Sequence, residues 1–250
     1  MTPSSPETCG PDPSVLVNVV HAALRTRHAH LAEAEGRALR YTAAVAPFAA
    51  VPDEPSGRDW DDLAVLAHRT GGLALHREPG ALPAGWDAAH GIDVHRMTVL
   101  QFSGAGLRAS AADADDPDVR ALTPSDVPAM RDLADRTRPG PFGERTIELG
   151  GYVGIMRDGV LAAMAGRRFS APTGGQQGWT EISAVCTDPA FRGQGLATRL
   201  IRTLAAGIRA HGDEVFLHVV DTNTAATALY KRLGFEPLST VEVTRLTPRR

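Results

Sequence analysis

The chain has 250 residues, of which 43% are hydrophobic and 22% charged, a composition typical of a soluble globular protein with one or two domains. A formal net charge of -3 gives no basic surface for nucleic acid, and no apolar run is long enough to span a membrane. The sequence shows no signal peptide, so it predicts a cytoplasmic protein. It has two cysteines, Cys9 and Cys186, and scattered histidines, which predict neither a disulfide framework nor a metal site.

The first 112 residues predict a mixed α/β region. Residues 1–13 are rich in turn formers and predict a flexible tail. Apolar residues at helical spacing predict helices over 14–27 and 58–70, and apolar runs predict strands over 72–76 and 92–102. No motif in this region can be assigned to chemistry.

The rest of the chain predicts a more regular series of elements. The small, acidic stretch 103–118 predicts a linker, with a domain boundary near residue 112. The element order expected after it is β-α-β-β-β-α-β-α-β. The elements are expected at 119–122, 124–137, 152–169 (a hairpin turned at Asp158-Gly159), 180–187, 194–211, 214–220, 224–233 and 241–246.

Two glycines, Gly193 and Gly195, stand between a predicted strand and the helix that follows it. Glycine lets an anion approach the backbone, and the first free N–H groups of a helix point at that anion with the help of the helix dipole. Arg192 adds a cation, so the segment predicts a pyrophosphate site. A dinucleotide-binding fold is one alternative, but Thr198 replaces its third glycine and an antiparallel hairpin fits a parallel sheet poorly.

The same segment resembles motif A of the GCN5-related N-acetyltransferase (GNAT) family, whose signature is Arg/Gln-x-x-Gly-x-Gly/Ala. A second family signature, an Asn that opens the next helix and a Tyr before Gly-Phe, matches the downstream stretch NTAATALYKRLGF. The matching residues are Arg192, Gly195, Ala197, Asn223, Tyr230, Gly234 and Phe235. The resemblance covers roughly residues 118–247 and is nearest to the FR47-like branch. It implies a mixed, mostly antiparallel sheet flanked by helices.

The resemblance also implies that the chain uses acetyl-CoA as cosubstrate and needs no metal. The pantetheine arm would lie between strand residues 184–187 and 216–220, with the pyrophosphate on residues 193–198. Strand N–H groups would face the thioester carbonyl as an oxyanion hole. The residues expected to bind the cosubstrate are Ala184, Val185, Cys186, Thr187, Arg192, Gly193, Gln194, Gly195, Leu196, Ala197, Thr198 and Asn223.

Two residues are candidates for proton transfer. Tyr230 falls seven residues after Asn223, as in the family's second motif, and is the candidate acid for the departing thiolate; a packed aromatic is the alternative. Glu181, on the strand before the glycines, is the candidate base, with a solvated strand residue as the alternative and Glu148 as a second choice. Cys186 is disfavoured as an acyl-accepting nucleophile, because no histidine is placed in sequence to activate it.

The sequence therefore predicts an acetyl-CoA-dependent N-acetyltransferase over residues 113–250. A primary amine of a small molecule or peptide would attack the thioester directly. Residues 14–112 are expected to form an accessory α/β domain, with a degenerate second copy of the same fold as one interpretation. A non-catalytic acyl-CoA-binding regulatory protein and a dinucleotide-binding enzyme are the alternatives, and the assembly is open between a monomer and a homodimer.

Overall fold

The structure, a computed structural model, describes residues 10–78, 80–173 and 177–249. Cys9 and most of the predicted tail over 1–13 therefore lie outside the described residues. Within the described ranges, no helix is both long and apolar enough to cross a lipid bilayer.

The first half of the chain contributes short helices and five strands. The strands are β1 (Ala32–Glu35), β2 (Ala38–Tyr41), β3 (Phe48–Ala50), β4 (Leu73–Arg77) and β5 (Ile92–Ser103). The helices are α1 (Val19–Arg25), which extends a 3-10 turn over Pro13–Asn18, α2 (Gly57–Thr70), α3 (Trp86–Ala89) and α4 (Ala111–Ala114). The sequence predicts α1, α2, β4 and β5. It does not predict β1 to β3, because three or four residues are too few to show a strand pattern.

The second half of the chain contains the longer elements. Its strands are β6 (Val119–Ala121), β7 (Val153–Arg157), β8 (Val160–Pro172), β9 (Gly178–Thr187), β10 (Glu214–Val220) and β11 (Glu236–Pro248). Its helices are α5 (Val127–Thr137), α6 (Leu196–Ala210) and α7 (Thr224–Leu233). The predicted order β-α-β-β-β-α-β-α-β is confirmed.

Local chemistry explains where these elements begin and end. Asp158 and Gly159 have φ of 50° and 78°, the left-handed pair that a two-residue hairpin turn requires, and they join β7 to β8. Leu200, Leu204 and Ile208 form the buried stripe of α6. The Oδ1 atom of Asn223 accepts a hydrogen bond from the Ala226 backbone N–H at 3.1 Å and thereby caps α7.

All eleven strands form one sheet in the order β1-β2-β3-β4-β11-β5-β10-β9-β8-β7-β6. Two pairs are parallel, β3 with β4 and β9 with β10, and each is connected through a helix, α2 or α6. The other described neighbours pair antiparallel. The predicted mixed, mostly antiparallel sheet flanked by helices is confirmed, and the sheet is not the parallel one of a dinucleotide-binding fold. That the first half is a degenerate second copy stays a prediction.

Strand β5 joins the two halves of the chain. It belongs to the predicted accessory domain, yet it lies between β10 and β11, both beyond the predicted boundary near residue 112. Its pairing with β11 runs from Ile92↔Pro248 to Ser103↔Glu236, and its pairing with β10 from Val99↔Val220 to Ser103↔Phe216. The boundary stays a prediction, but the sheet continues across it.

The sheet is strongly curled. In a flat sheet β4 and β8 would lie about 24 Å apart, because five steps of about 4.8 Å separate them. The ring of His76 on β4 instead lies 5.7 Å, centroid to centroid, from the ring of Phe169 on β8. The inner faces of the two halves therefore meet, and aromatic side chains of both halves, among them Tyr41 and Phe48, pack together there.

Candidate active site

The parallel strands β9 and β10 separate partway along their length. Their pairing includes Trp179↔Glu214 and ends at Glu181↔Phe216, although β9 continues to Thr187 and β10 to Val220. In the same stretch β9 bulges, because Ala184 and Val185 together stand opposite one residue of β8, and Ala184 has φ of 51°. The backbone groups that face this gap have no sheet partner, so an extended ligand could bind along either strand.

The N-terminus of α6 lies beside the end of β9 and presents free backbone donors. Gly195 is its N-cap residue with φ of 74°, and Gly193 has φ of 79°. A Cβ atom added at either glycine would meet nothing within 4 Å, no side chain caps the helix, and its first turn has no acidic residue. The helix begins two residues later than predicted, at Leu196, whose side chain is buried in the core, so only its backbone can face an anion.

A cavity of about 910 Å³ includes the gap and is lined by residues from both faces of the sheet. Adjacent side chains of a strand point to opposite faces, yet His218 and Val219 of β10 both line the cavity. Val219 packs with Tyr230 in the core beneath α6 and α7. The His218 ring instead lies 4.6 Å from the His76 ring inside the curl of the sheet. One ligand can therefore enter from the helix side and meet a second ligand that enters from the curl.

The structure brings half of the predicted cosubstrate residues to the cavity surface. Those that line it are Ala184, Val185, Cys186, Thr187, Arg192 and Asn223. The remaining six, Gly193, Gln194, Gly195, Leu196, Ala197 and Thr198, form the α6 N-terminus next to Arg192. The Arg192 side chain is exposed and donates from Nε to the Thr187 carbonyl at 3.3 Å, which keeps its charge close to the free helix donors.

Tyr230, the predicted acid, lies in the cavity wall with 8% of its surface exposed. Its ring packs edge-on against Phe235 with centroids 5.9 Å apart. Burial raises the pKa of Tyr230 to about 12, so its hydroxyl keeps its proton at neutral pH. A protonated hydroxyl at the surface of the gap has the form required of a proton donor.

Glu181, the predicted base, lies behind the cavity wall. Its side chain is fully buried, and both of its oxygens accept hydrogen bonds from Arg168, at 2.7 and 2.5 Å. Burial alone would raise the pKa of Glu181, but the charge of Arg168 and the hydrogen bonds from Arg168 and His218 outweigh it and hold that pKa well below its ordinary value of 4.5. A buried, ion-paired carboxylate of low pKa is suited to orienting its neighbours rather than to accepting a proton from a ligand.

His218 is a site residue that the sequence did not reveal. Its Nδ1 atom lies 2.8 Å from Oε1 of Glu181, and its Nε2 atom lies 3.0 Å from the Nε2 amide of Gln101. Because a carboxylate only accepts and an amide nitrogen only donates, Nδ1 carries the proton and Nε2 carries the lone pair. A carboxylate on one ring nitrogen and a lone pair on the other is the arrangement of a histidine base. Only the tertiary fold, which brings β5, β9 and β10 together, could identify it.

Two other residues weighed in the sequence analysis, Glu148 and Cys186, are not placed to accept a proton or to attack a thioester. Glu148 pairs with Arg145 at the surface and does not line the cavity. Cys186 lines the cavity but is 7% exposed, and burial raises the pKa of its thiol to about 11. A thiol that stays protonated is a poor nucleophile, which agrees with the interpretation of Cys186 as a buried structural residue.

The comparisons with known proteins agree with this geometry. The family model of FR47-like protein matches residues 152–244. A solved structure of a protein assigned to the GNAT acetyltransferase family, from Novosphingobium aromaticivorans, is 32% identical, covers 94% of this chain and 99% of its own, and superposes with a TM-score of 0.80. That match includes the first half of the chain, so the accessory region is also similar to a known member.

Two curated relatives match a shorter part of the chain. The N-alpha-acetyltransferase RimI of Mycobacterium tuberculosis is 36% identical over 85 residues, which are 34% of this chain and 51% of that protein. The mycothiol acetyltransferase of Thermobispora bispora is 37% identical over 87 residues, 34% of this chain and 30% of that protein. The chain thus spans about half, or less, of the curated relatives that it matches. Its sequence, its fold and the gap between β9 and β10 together show that the chain belongs to the GCN5-related N-acetyltransferase family.

Proposed function

We propose that the protein is an acetyl-CoA-dependent N-acetyltransferase that transfers an acetyl group to a primary amine by direct attack. The observation that carries this proposal is the end of the parallel pairing at Glu181↔Phe216, from which the gap opens toward the free N-terminus of α6. The names of the two curated relatives, an N-alpha-acetyltransferase and a mycothiol acetyltransferase, support the same class of reaction.

The residues around the gap fit acetyl-CoA, which would supply the activated acetyl group as a thioester. The open space at Gly193 and Gly195 leaves room for a pyrophosphate on the backbone donors of α6, with Arg192 as a nearby cation. The unpaired backbone of β9 and β10 would hold the amides of the pantetheine arm. Asn223 caps α7 through its oxygen, so its amide nitrogen is available to the same arm.

The bulge on β9 and Tyr230 would serve the two ends of the thioester. Ala184 and Val185 interrupt the regular pairing with β8, and their backbone N–H groups would donate to the carbonyl oxygen as negative charge develops on it. The Tyr230 hydroxyl would give its proton to the departing thiolate. Burial keeps that hydroxyl protonated until the thiolate forms.

His218 would accept the proton of the attacking amine, directly or through a water. The incoming amine would replace the Gln101 amide as the donor to Nε2, while Glu181 holds the proton at Nδ1 and stabilises the imidazolium that results. Glu181 thus becomes a positioning residue, and Arg168 in turn fixes the orientation of Glu181. In this proposal His218, and not Glu181, is the base that accepts the amine proton.

The proposal is tested first by cosubstrate binding. Acetyl-CoA is expected to raise the melting temperature of the full chain, whereas NAD and NADP are not. Gly195→Glu should abolish that shift, because a side chain and a negative charge would occupy the pyrophosphate site. Gly212→Glu is the matched control: Gly212 also has a left-handed backbone, with φ of 86°, but lies just beyond the opposite end of α6.

Release of CoA thiol with a panel of amines then separates an enzyme from a non-catalytic binder. If acetyl-CoA raised the melting temperature of Gly195→Glu as much as that of the unmodified protein, the proposed cosubstrate site would be refuted. A normal shift without thiol release for any amine would leave binding intact and refute the catalytic proposal.

A further inference from the structure

The charged side chains that line the cavity are all basic at neutral pH. Four arginines line it, Arg138, Arg168, Arg192 and Arg245, and none of the described lining residues is an aspartate or a glutamate. Composition does not explain this, because the chain has 29 acidic residues against 26 lysines and arginines. The carboxylate of Glu181 behind the wall is already paired with Arg168. The cavity therefore presents an unbalanced positive charge to whatever enters it.

Arg245 lines the cavity from β11, whereas the proposed phosphate site lies at the start of α6, which follows β9. Arg245 lies four residues beyond Val241, and Val241 and Val220 pair with the same residue of β5, Val99. Strand β5 lies between β11 and β10, so Arg245 does not border the gap. Its side chain is exposed, and none of the ion pairs found among the described residues involves it. In the strand order, Arg245 thus stands on the other side of β10 from the proposed phosphate site, and it is available to another ligand.

His76 provides an independent sign of a ligand in the same part of the cavity. It is 1% exposed, lines the cavity, and has no hydrogen-bond partner for either ring nitrogen among the described residues. Burial holds the pKa of His76 well below its ordinary value, so the neutral ring offers one N–H donor and one lone pair. Buried polar atoms in proteins are almost always paired, which indicates that a polar group of a bound molecule belongs here.

We infer that the acceptor is an amine that also carries an anionic group, a carboxylate or a phosphate, and that Arg245 binds this anion while the amine reaches His218. This inference rests on the proposed function. It excludes polyamines and aminoglycosides as preferred acceptors, because their additional positive charges would meet arginines and find no carboxylate to pair with. The lining residues beside Arg245 include the apolar Leu73 and Val243 and the polar His95, which pairs with Arg245 across β5 and β11. Arg245 carries the positive charge in this part of the cavity.

The test compares matched amines on the full chain with acetyl-CoA. Leucine is compared with leucinamide, and phosphoethanolamine with ethanolamine, so that each pair differs chiefly in the anionic group; spermidine represents the polycations. Thiol release gives kcat/KM for each amine. Arg245→Gln removes the charge, and Arg96→Gln is the matched control, because Arg96 follows the lining residue His95 on β5 and does not itself line the cavity. The melting-temperature shift with acetyl-CoA is measured for each variant.

We expect at least one amine with an anionic group to exceed the matched amine without that group by about tenfold in kcat/KM, the usual effect of one charge-assisted hydrogen bond. Arg245→Gln should abolish this preference and Arg96→Gln should keep it, with the acetyl-CoA shift unchanged in both. The pair that shows the preference identifies the anion. If no amine turns over, the additional melting-temperature shift that each amine causes in the presence of CoA replaces kcat/KM, with the same criteria.

Two results would overturn the inference. One is a kcat/KM for leucinamide and ethanolamine, or for spermidine, that equals or exceeds that of the amines with an anionic group. The other is a preference for the anionic group that Arg245→Gln leaves intact. Failure of the proposed function would look different: the unmodified protein would show no melting-temperature shift with acetyl-CoA, or it would show the shift without thiol release for any amine.

Discussion

At residue 181, a carboxylate that the sequence predicts to be a base is enclosed between Arg168 and His218 and has no exposed surface. Two neighbours with positive or partial positive charge make the ionised form of Glu181 stable and a poor proton acceptor. The same contact fixes the tautomer of His218, which lines the cavity. In the mechanism that we propose, His218 accepts the amine proton and Glu181 positions it.

Replacing Tyr230 by Phe should lower kcat by about 10²–10⁴, the usual contribution of a positioned proton donor. The ring and its contact with Phe235 remain, so the acetyl-CoA shift in melting temperature should not change. Tyr152→Phe is the matched control, since Tyr152 is a tyrosine of similar burial that does not line the cavity. Steady-state thiol release checks both variants, and unaltered turnover in Tyr230→Phe would remove the hydroxyl from the chemistry.

His218→Gln should lower kcat by about 10²–10³, because a glutamine has no imidazole to accept the proton of the amine. Glu181→Gln should reduce kcat less, since it removes the carboxylate that orients the His218 ring through Nδ1 but keeps the imidazole. His68→Gln, an exposed histidine on α2, serves as the control. An unchanged kcat in His218→Gln would assign the proton transfer to another group.

The ion pair of Glu181 should also make stability depend on pH. Its folded-state pKa is depressed below 4.5, so its contribution is fully present above about pH 4.5 and is lost as the pH falls further, by about 1.4 kcal/mol per pH unit. Glu181→Gln should lower the free energy of unfolding by about 3 kcal/mol at pH 7 and should remove that share of the acid slope. Urea titrations at several pH values check this. Glu148→Gln, at a surface pair, should change stability by less than about 1 kcal/mol.

On the scale of single elements, the separation of β9 from β10 depends on the bulge at Ala184. A φ of 51° is tolerated by alanine at some cost and is strongly disfavoured for a β-branched residue. Ala184→Val should therefore distort the bulge and weaken the acetyl-CoA shift, whereas Ala184→Gly, which accepts the same φ, should preserve it. Differential scanning fluorimetry across acetyl-CoA concentrations measures both. Equal affinity in the two variants would show that the gap does not depend on the bulge.

Prediction from sequence succeeded for elements whose pattern is local. The Asp158-Gly159 turn and the start of α7 at Asn223 each depend on residues a few positions apart, and each appears as expected. The partners of a strand are set by residues far along the chain, so neither the position of β5 between β10 and β11 nor the approach of His76 to His218 could be foreseen. The gap itself was anticipated only through the resemblance to a family.

For the whole molecule, the continuous sheet argues that the two halves do not fold separately. A fragment of residues 113–250 would lack β5 and would leave β10 and β11 without their common neighbour. We expect this fragment to show no cooperative thermal transition and no response to acetyl-CoA. A fragment of residues 92–250 keeps β5 and should retain more structure. A cooperative transition with an acetyl-CoA shift in the 113–250 fragment would instead support the domain boundary near residue 112.

The insertion of β11 between β4 and β5 has a consequence for the rate of folding. Each hydrogen bond between β5 and β11 closes a loop of well over a hundred residues, as the pairs Ile92↔Pro248 and Ser103↔Glu236 show. The conformational entropy of such a loop is lost before the contact contributes any stabilising free energy, and chains with many such loops fold slowly. During that delay β4 and β5 each expose an unpaired strand edge beside apolar side chains, which is the state from which proteins aggregate. Refolding yield should therefore fall steeply as protein concentration rises, even where the folded protein is stable.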